Sequence, residues 1–498
     1  MALVMAASLW AAPAAFTAEP PAAAPGQGVE PPTLVPAVAD EKPAAPAAKE
    51  AAPAAKSAEA PAYTDAIDEF IAKSKTPVPW FRWGADIRFR DEYINGAGLN
   101  HHSPARGTKG DELNYQRYRP RWWATLTPAK DIDLNMRIMW EGRHWSDPDG
   151  TPEWVQGGVL MDILNLKLTN VGGSPLTMTL GRQDLMLGDG WLVMDGTPND
   201  GSRTFFFDAA RFTYDAKHIS TTIDAIYIQQ AGRGNDVCPP LLDDRTGPPA
   251  RNVIEQDERG VILWAANKSI KNTEIDGYYM YKDSEPIASD GDDGHIHTFG
   301  ARVAGDATDH WRYRAEGAYE FGSNRNQYVR AFGLNSGLTY LLKDKWNNQW
   351  RAVQYEYLSG DDPHSRGTNE AFKLLWGCWT RWNEIIGYGW SATKEGRARD
   401  LTNMHRLTTG WSLNPVPKVE LAADYHLLFA AENTFAGTAG FSEAGAFRGQ
   451  LVTLLAKFDI TKHLKAHILQ EYFFPGNYYA APRDDPGVFL RGELYFTW

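Results

Sequence analysis

The chain has 498 residues, 12 % of them aromatic, with a formal net charge of −12 and a mean hydropathy of −0.44. A helical membrane protein needs apolar runs of roughly 20 residues, whereas a transmembrane barrel alternates lipid-facing and lumen-facing residues and stays polar on average. The negative charge argues against nucleic acid as a partner, and two cysteines exclude a disulfide framework, so we expect Cys238 and Cys378 to be unpaired thiols, with a single bridge as the alternative.

The N-terminal part of the chain differs in composition from the rest. Residues 1–18 form an uncharged apolar run that ends in small residues, which predicts a secretory signal peptide. Residues 19–62 are rich in Ala and Pro and predict a disordered linker. In residues 63–79, Thr64 precedes Ile67, Phe70 and Ile71 at helical spacing, which predicts a short amphipathic helix and a connector.

From residue 80 to residue 498 the pattern has a period of two. In residues 82–92, Trp83, Ile87 and Phe89 alternate with Arg88 and Arg90, so rings and charges point to opposite faces of a strand. The same alternation recurs in residues 117–126, 132–140, 311–321, 418–429 and 488–498. This pattern predicts a wall between lipid and water.

The connections between these segments are of two kinds. Short turns such as residues 127–130 and 414–417 alternate with long Gly-, Asp- and Pro-rich loops at residues 95–114, 144–159, 188–203, 231–258, 359–401 and 431–449. Short turns on one rim and long loops on the other are typical of bacterial outer-membrane barrels, and about 18 segments alternate. We therefore predict an all-β transmembrane antiparallel barrel of about 18 strands with an open lumen, in the outer membrane of a Gram-negative-type bacterium.

Two soluble alternatives are disfavoured. A β-propeller or β-helix needs a sequence repeat of fixed period, which the chain lacks. Neither explains why the arginines lie opposite the rings.

The ordered motifs of the barrel segment resemble those of the bacterial alginate-export outer-membrane porins (alginate export domain). The clearest stretch is residues 181–184 (GRQD), 188–190 (GDG), 203–205 (RTF) and 208–211 (DAAR). Further matches are residues 319–323 (YEFGS), 357–361 (YLSGD) with Gly367, Thr368, Asn369 and Phe372, 419–429 (VELAADYHLLF) and 472–476 (YFFPG).

The resemblance implies an 18-stranded barrel whose arginine-lined lumen conducts a polyuronate outward. The expected partners are an anionic polysaccharide or oligosaccharide, outer-membrane lipid and the barrel assembly machinery. The last partner is implied by residues 494–498, which resemble a C-terminal assembly signal with an aromatic last residue.

Arginines suit such a lumen because the guanidinium stays protonated and binds carboxylates through a planar fork. The alternation places these arginines in the lumen: Arg82, Arg88, Arg90, Arg117, Arg119, Arg121, Arg137, Arg312, Arg314 and Arg491; the motif run adds Arg182, Arg203 and Arg211. We expect Asp86, Asp133, Glu141, Glu316, Glu320, Asp424 and Glu493 to pair with some of them.

Three other functions are kept as alternatives. One is a general or neutral-sugar porin without polymer specificity, and one is a purely structural or adhesive barrel. The third is an outer-membrane hydrolase, for which His426 beside Asp424 is the nearest candidate, although no GxSxG motif is present. We expect no catalytic site, cofactor or metal; His101 and His102, and His295 and His297 after three aspartates, are interpreted as solvated loops.

Overall fold

The computed structural model describes residues 62–96, 112–147, 154–156, 159–195, 206–232, 256–289, 291–377, 382–392, 395 and 401–498. The predicted signal peptide, almost all of the predicted linker, His101, His102, Arg203, Cys238 and Cys378 lie outside these residues.

A closed antiparallel barrel of 18 strands forms the body of the molecule, which confirms the predicted fold class and strand number. Its wall strands are β1 (Phe81–Gly96), β2 (Glu112–Ala129), β3 (Ile132–Met139), β6 (Leu160–Leu168), β7 (Leu176–Gln183), β10 (Phe207–Ala216), β11 (Thr221–Gln230), β12 (Gln256–Asn267), β13 (Thr273–Pro286), β14 (Gly294–Asp306), β15 (Trp311–Asn324), β16 (Gln327–Leu341), β17 (Gln349–Leu358), β19 (Met404–Val416), β20 (Val419–Phe429), β21 (Phe447–Asp459), β22 (Leu464–Pro475) and β23 (Gly487–Thr497). Each pairs with its neighbours in the wall, and β1 closes the cylinder by pairing with β23 from Asp86↔Thr497 to Gly96↔Gly487.

The alternation of the sequence becomes the two faces of this wall. In β1, Ile87 is 58 % exposed on the outer face, whereas its neighbour Arg88 is 1 % exposed inside. Phe299 and Leu494 are likewise exposed on the outer face. A closed barrel satisfies every backbone donor and acceptor of its wall strands without a sheet edge, which is the condition for crossing lipid with strands.

The two rims differ. Both ends of the barrel segment, at Phe81 and Trp498, lie on the rim with the short turns. A helix, α1 (Ala62–Lys75), also lies there: Phe70 meets the ring of Trp498 edge-on at 5.9 Å, and the indole nitrogen of Trp498 donates to Ser74 Oγ at 3.1 Å. Neither this helix nor any other in the described ranges is both long and apolar enough to span a membrane.

Two of the long connections fold into the barrel instead of outward. The first, loop A (described residues 184–195), contains β8 (Leu185–Met186) and β9 (Met194–Asp195). The second, loop B (described residues 359–377, 382–392, 395 and 401–403), contains β18 (Thr368–Asn369) and helix α2 (Ile385–Ala392). The two loops are joined because Met194 N donates to Trp376 O at 3.1 Å and Trp376 N donates to Leu192 O at 3.2 Å.

A further hairpin, β4 (Gly142–Asp147) and β5 (Trp154–Gln156), extends β3 along β2 at the long-loop rim.

Candidate functional site

The densest charge cluster of the lumen lies on β1, β2 and β23, where the barrel closes, with β4 adding to it. The register sets Arg88 opposite Arg119 and Arg90 opposite Arg117. We call this cluster the basic wall; its arginines are Arg88, Arg90, Arg117, Arg119, Arg121, Arg143 and Arg491, and its acids are Asp86, Glu92, Glu141 and Glu493. Like charges directly opposite each other are destabilising, so the acids between them are required for the cluster to form.

Short ion pairs organise the basic wall. Arg90 Nε lies 2.5 Å from Glu493 Oε2, Arg117 Nη2 2.8 Å from Glu141 Oε1, and Arg121 Nη2 2.7 Å from Asp86 Oδ2. The pair between Arg491 and Glu92 ties β23 to β1 at 2.6 Å. Because the arginines outnumber the acids and stay protonated, this cluster keeps a net positive charge.

Four more of the predicted arginines also point into the barrel. Arg137 contacts Asp162 at 2.9 Å and Asp184 at 3.1 Å, and Arg211 forms a forked pair with Asp224 at 2.8 Å. Arg314 donates to Gln354 at 3.0 Å. Arg312, beside Asp306 at 3.0 Å, lies near the short-turn rim.

Arg182 does not face the lumen. It is in register with Leu164 on one side and Asp208 on the other, and Leu164 is an exposed residue of the outer face. There it forms a forked pair with Asp208 at 2.9 and 3.0 Å, and the Phe206 ring covers it. The prediction was wrong because a motif, and not the alternation of β7, had assigned this residue.

Within the described ranges of the chain, the sequence analysis missed five interior arginines: Arg143, Arg302, Arg351, Arg406 and Arg448. Arg302 contacts Asp276 at 2.9 Å and Asp189 of loop A at 2.7 Å. The alternation within β14 carries the signal that would have found it. That signal was lost because residues 295–297 were interpreted as loop, whereas the structure has both histidines on the outer face of β14, paired with β13.

The hydrolase candidate does not form a catalytic pair. His426 Nδ1 lies 2.7 Å from Thr408 Oγ1, whereas Asp424 binds Arg351 at 2.7 Å. In the part of the chain that the structure describes, no group of three or more His, Cys, Asp or Glu side chains could hold a metal ion.

The loops bring further charge into the lumen. Glu384, which precedes α2, lies 2.5 Å from Arg491 Nη2, and Asn383 caps the helix by accepting from Ile386 N at 2.9 Å. Burial raises the pKa of Glu384 above the usual value of a glutamate, although Arg491 acts in the opposite direction.

Comparisons with known proteins agree with this architecture. The family model described as Alginate export matches residues 154–487, a range that excludes all of the basic wall. The fold resembles OccAB2 of Acinetobacter baumannii at 12 % identity and a TM-score of 0.52, and OccK8 (OprE) of Pseudomonas aeruginosa at 12 % identity and a TM-score of 0.51; each comparison covers 84 % of this chain and 98 % of the other. A comparison with curated proteins gives no match. Because the family model covers more than half of the sequence, the chain belongs to the alginate export family, and it is an outer-membrane porin of a Gram-negative-type bacterium.

Proposed function

We propose that this porin passes an anionic polysaccharide, an alginate-like polyuronate or a related anionic sugar, through its arginine-lined lumen. The observation that carries the proposal is the excess of arginine in the basic wall, together with Arg137, Arg211 and Arg314 along the rest of the interior. A polyuronate has a carboxylate on every sugar, and a guanidinium binds a carboxylate through two parallel hydrogen bonds.

The acids of the basic wall favour a pore that conducts a polymer and does not bind it tightly. A conducting pore must bind its substrate strongly enough to admit it and weakly enough to release it. Each acid fixes a guanidinium in place and reduces its attraction for the substrate. The acids therefore fix the guanidinium groups in place, and we propose that a chain of carboxylates moves from one arginine to the next.

The test is the reversal potential of the purified porin in a planar bilayer under a salt gradient, followed by block with oligomers of mannuronate and guluronate. We expect anion preference and block by these oligomers but not by neutral sugars of equal length. The double variant Arg119→Glu and Arg121→Glu should shift selectivity toward cations.

Arg259→Glu is the matched control, because Arg259 is exposed on the outer face of β12 and its charge does not face the lumen. Cation preference of the wild-type pore would end the proposal. Equal block by charged and neutral oligomers would favour a general porin, and the absence of any conductance would favour a structural barrel.

We also propose roles for the segments that precede the barrel and for the last residues of the chain. We assign residues 1–18 to a signal peptide, 19–62 to a spacer, 63–79 to the helix and connector beneath the barrel, and 80–498 to the barrel. We assign residues 494–498 to recognition by the barrel assembly machinery.

A further inference from the structure

The acidic side chains of the two inward loops lie on arginines of the barrel. In loop A, Asp184 contacts Arg137 at 3.1 Å, and Asp189 contacts Arg302 at 2.7 Å and Arg314 at 3.9 Å. In loop B, Glu384 contacts Arg491 and Glu395 contacts Arg448, each at 2.5 Å. These arginines come from five different strands, so the pattern extends around the barrel and is not one local cluster.

The contact of Glu384 is built by several independent interactions. The backbone N–H groups of Glu384 and Ile385 both donate to the carboxylate of Glu471 on β22, at 2.9 Å. Ile385 is fully buried. These contacts fix the start of α2 against β22 and β23 and hold the Glu384 carboxylate against Arg491, which belongs to the basic wall.

A carboxylate on a guanidinium is the same chemical contact that a uronate unit would make. The loop carboxylates are attached to the barrel, so they meet these arginines intramolecularly and at a high effective concentration. An anionic polymer that uses Arg491, Arg302 or Arg314 must first displace them.

We propose that Glu384 and Asp189 are internal competitors that set the affinity of the pore for its anionic substrate. This inference rests on the proposed function and deepens it. The loop carboxylates occupy the arginines when no substrate is present, and a polymer displaces them because it presents many carboxylates in succession. Substrates with a single carboxylate compete poorly, so the loops select for polymers.

The apparent dissociation constant of the substrate depends on the fraction of time that a loop carboxylate occupies its arginine. If a loop carboxylate occupies its arginine nine tenths of the time, the apparent dissociation constant of the substrate rises about tenfold. Removing that carboxylate removes its share of the competition, while Glu92 stays on Arg491 and Asp276 stays on Arg302.

The experiment measures block of the single-channel current by mannuronate oligomers of increasing length, for the wild-type porin, Glu384→Gln and Asp189→Asn. We expect the apparent dissociation constant of short oligomers to fall about tenfold in each variant, and the advantage of long oligomers over short ones to shrink. Glu370→Gln is the matched control: it removes the same charge from loop B, but Glu370 bonds within the loop, to Asp362 N and Ser365 Oγ.

Unchanged or weaker oligomer block in both variants would overturn the inference, and so would an equal gain in Glu370→Gln. Heat-modifiable mobility of the folded barrel in gels shows whether each variant folds. If Glu384→Gln fails to fold, Asp189→Asn decides alone, because it lies on the other loop. An anion-selective wild-type pore whose variants show no gain refutes this inference and leaves the proposed function intact; a cation-selective pore refutes the proposed function first.

Discussion

Two regions of the barrel interior differ in their buried charged residues and in the loop contacts that they make. The basic wall on β1, β2, β4 and β23 is rich in arginine. The strands β12, β13 and β15 carry four buried acids, Glu258, Asp276, Glu316 and Glu320, which we call the acidic wall. Both regions use the same inward positions of an alternating strand, so the strand pattern alone does not assign their roles.

Contacts to the loops separate the two regions. Glu258 of the acidic wall accepts a hydrogen bond from the Trp376 indole at 3.0 Å, and Glu320 accepts one from Lys373 N at 2.9 Å. Lys282, beside them on β13, donates to Leu375 O at 2.7 Å. The acidic wall therefore anchors the middle of loop B, whereas the basic wall meets loop B through the Glu384–Arg491 contact. One side of the lumen therefore positions the middle of loop B, and the other carries the excess of arginine.

The largest effect on stability is expected in the basic wall. Arg117→Ala removes one partner of Glu92 and one of Glu141, which leaves two buried carboxylates with fewer counter-charges. Loss of one partner of a buried ion pair costs about 3–5 kcal/mol. Urea unfolding of the barrel in lipid or detergent measures this, and the reversal potential of the surviving barrels should move away from anions. An unchanged unfolding midpoint would show that the cluster does not stabilise the closure of the barrel.

Truncation of Trp376, which anchors loop B to the barrel wall, should alter the conductance and leave the ion selectivity unchanged. The ring of Trp376 is buried and fills the space above Gly260, where any Cβ would lie 2.4 Å from it. Trp376→Ala removes about 3–5 kcal/mol of packing, most of it from loop B and not from the barrel. Single-channel recording should show a larger or more variable conductance with the same anion preference. A change in reversal potential as large as that of the Arg119 and Arg121 variant would contradict the separation of roles.

The smallest effect is expected outside both walls, at α1. Phe70→Ala removes the edge-on contact with Trp498 at the short-turn rim, a contact worth about 0.5–1.5 kcal/mol. We expect a slight fall in the thermal midpoint of the barrel and unchanged conductance and selectivity. A marked change in conductance would show that α1 influences the lumen, in contrast to its position beneath the rim.

The sequence by itself determined the barrel strands and which of their side chains face inward or outward. Alternation in residues 82–92 and 117–126 is a property of each strand alone, so it correctly predicted strands with the side chains of Arg88, Arg90, Arg117 and Arg119 inside and those of Ile87 and Tyr118 on the outer face. The strand number followed from the same signal, because each crossing of the membrane repeats it.

Only the tertiary structure decided which residues meet inside the barrel. The face of Arg182 depends on its register with Leu164 and Asp208, and a one-residue difference in register reverses a side chain. The inward course of loops A and B, and the contact of Glu384 with Arg491 across 107 residues (491 minus 384), depend on closure of the cylinder. Local periodicity fixes the two faces of a strand, whereas contacts across the lumen arise from the shape that all the strands form together.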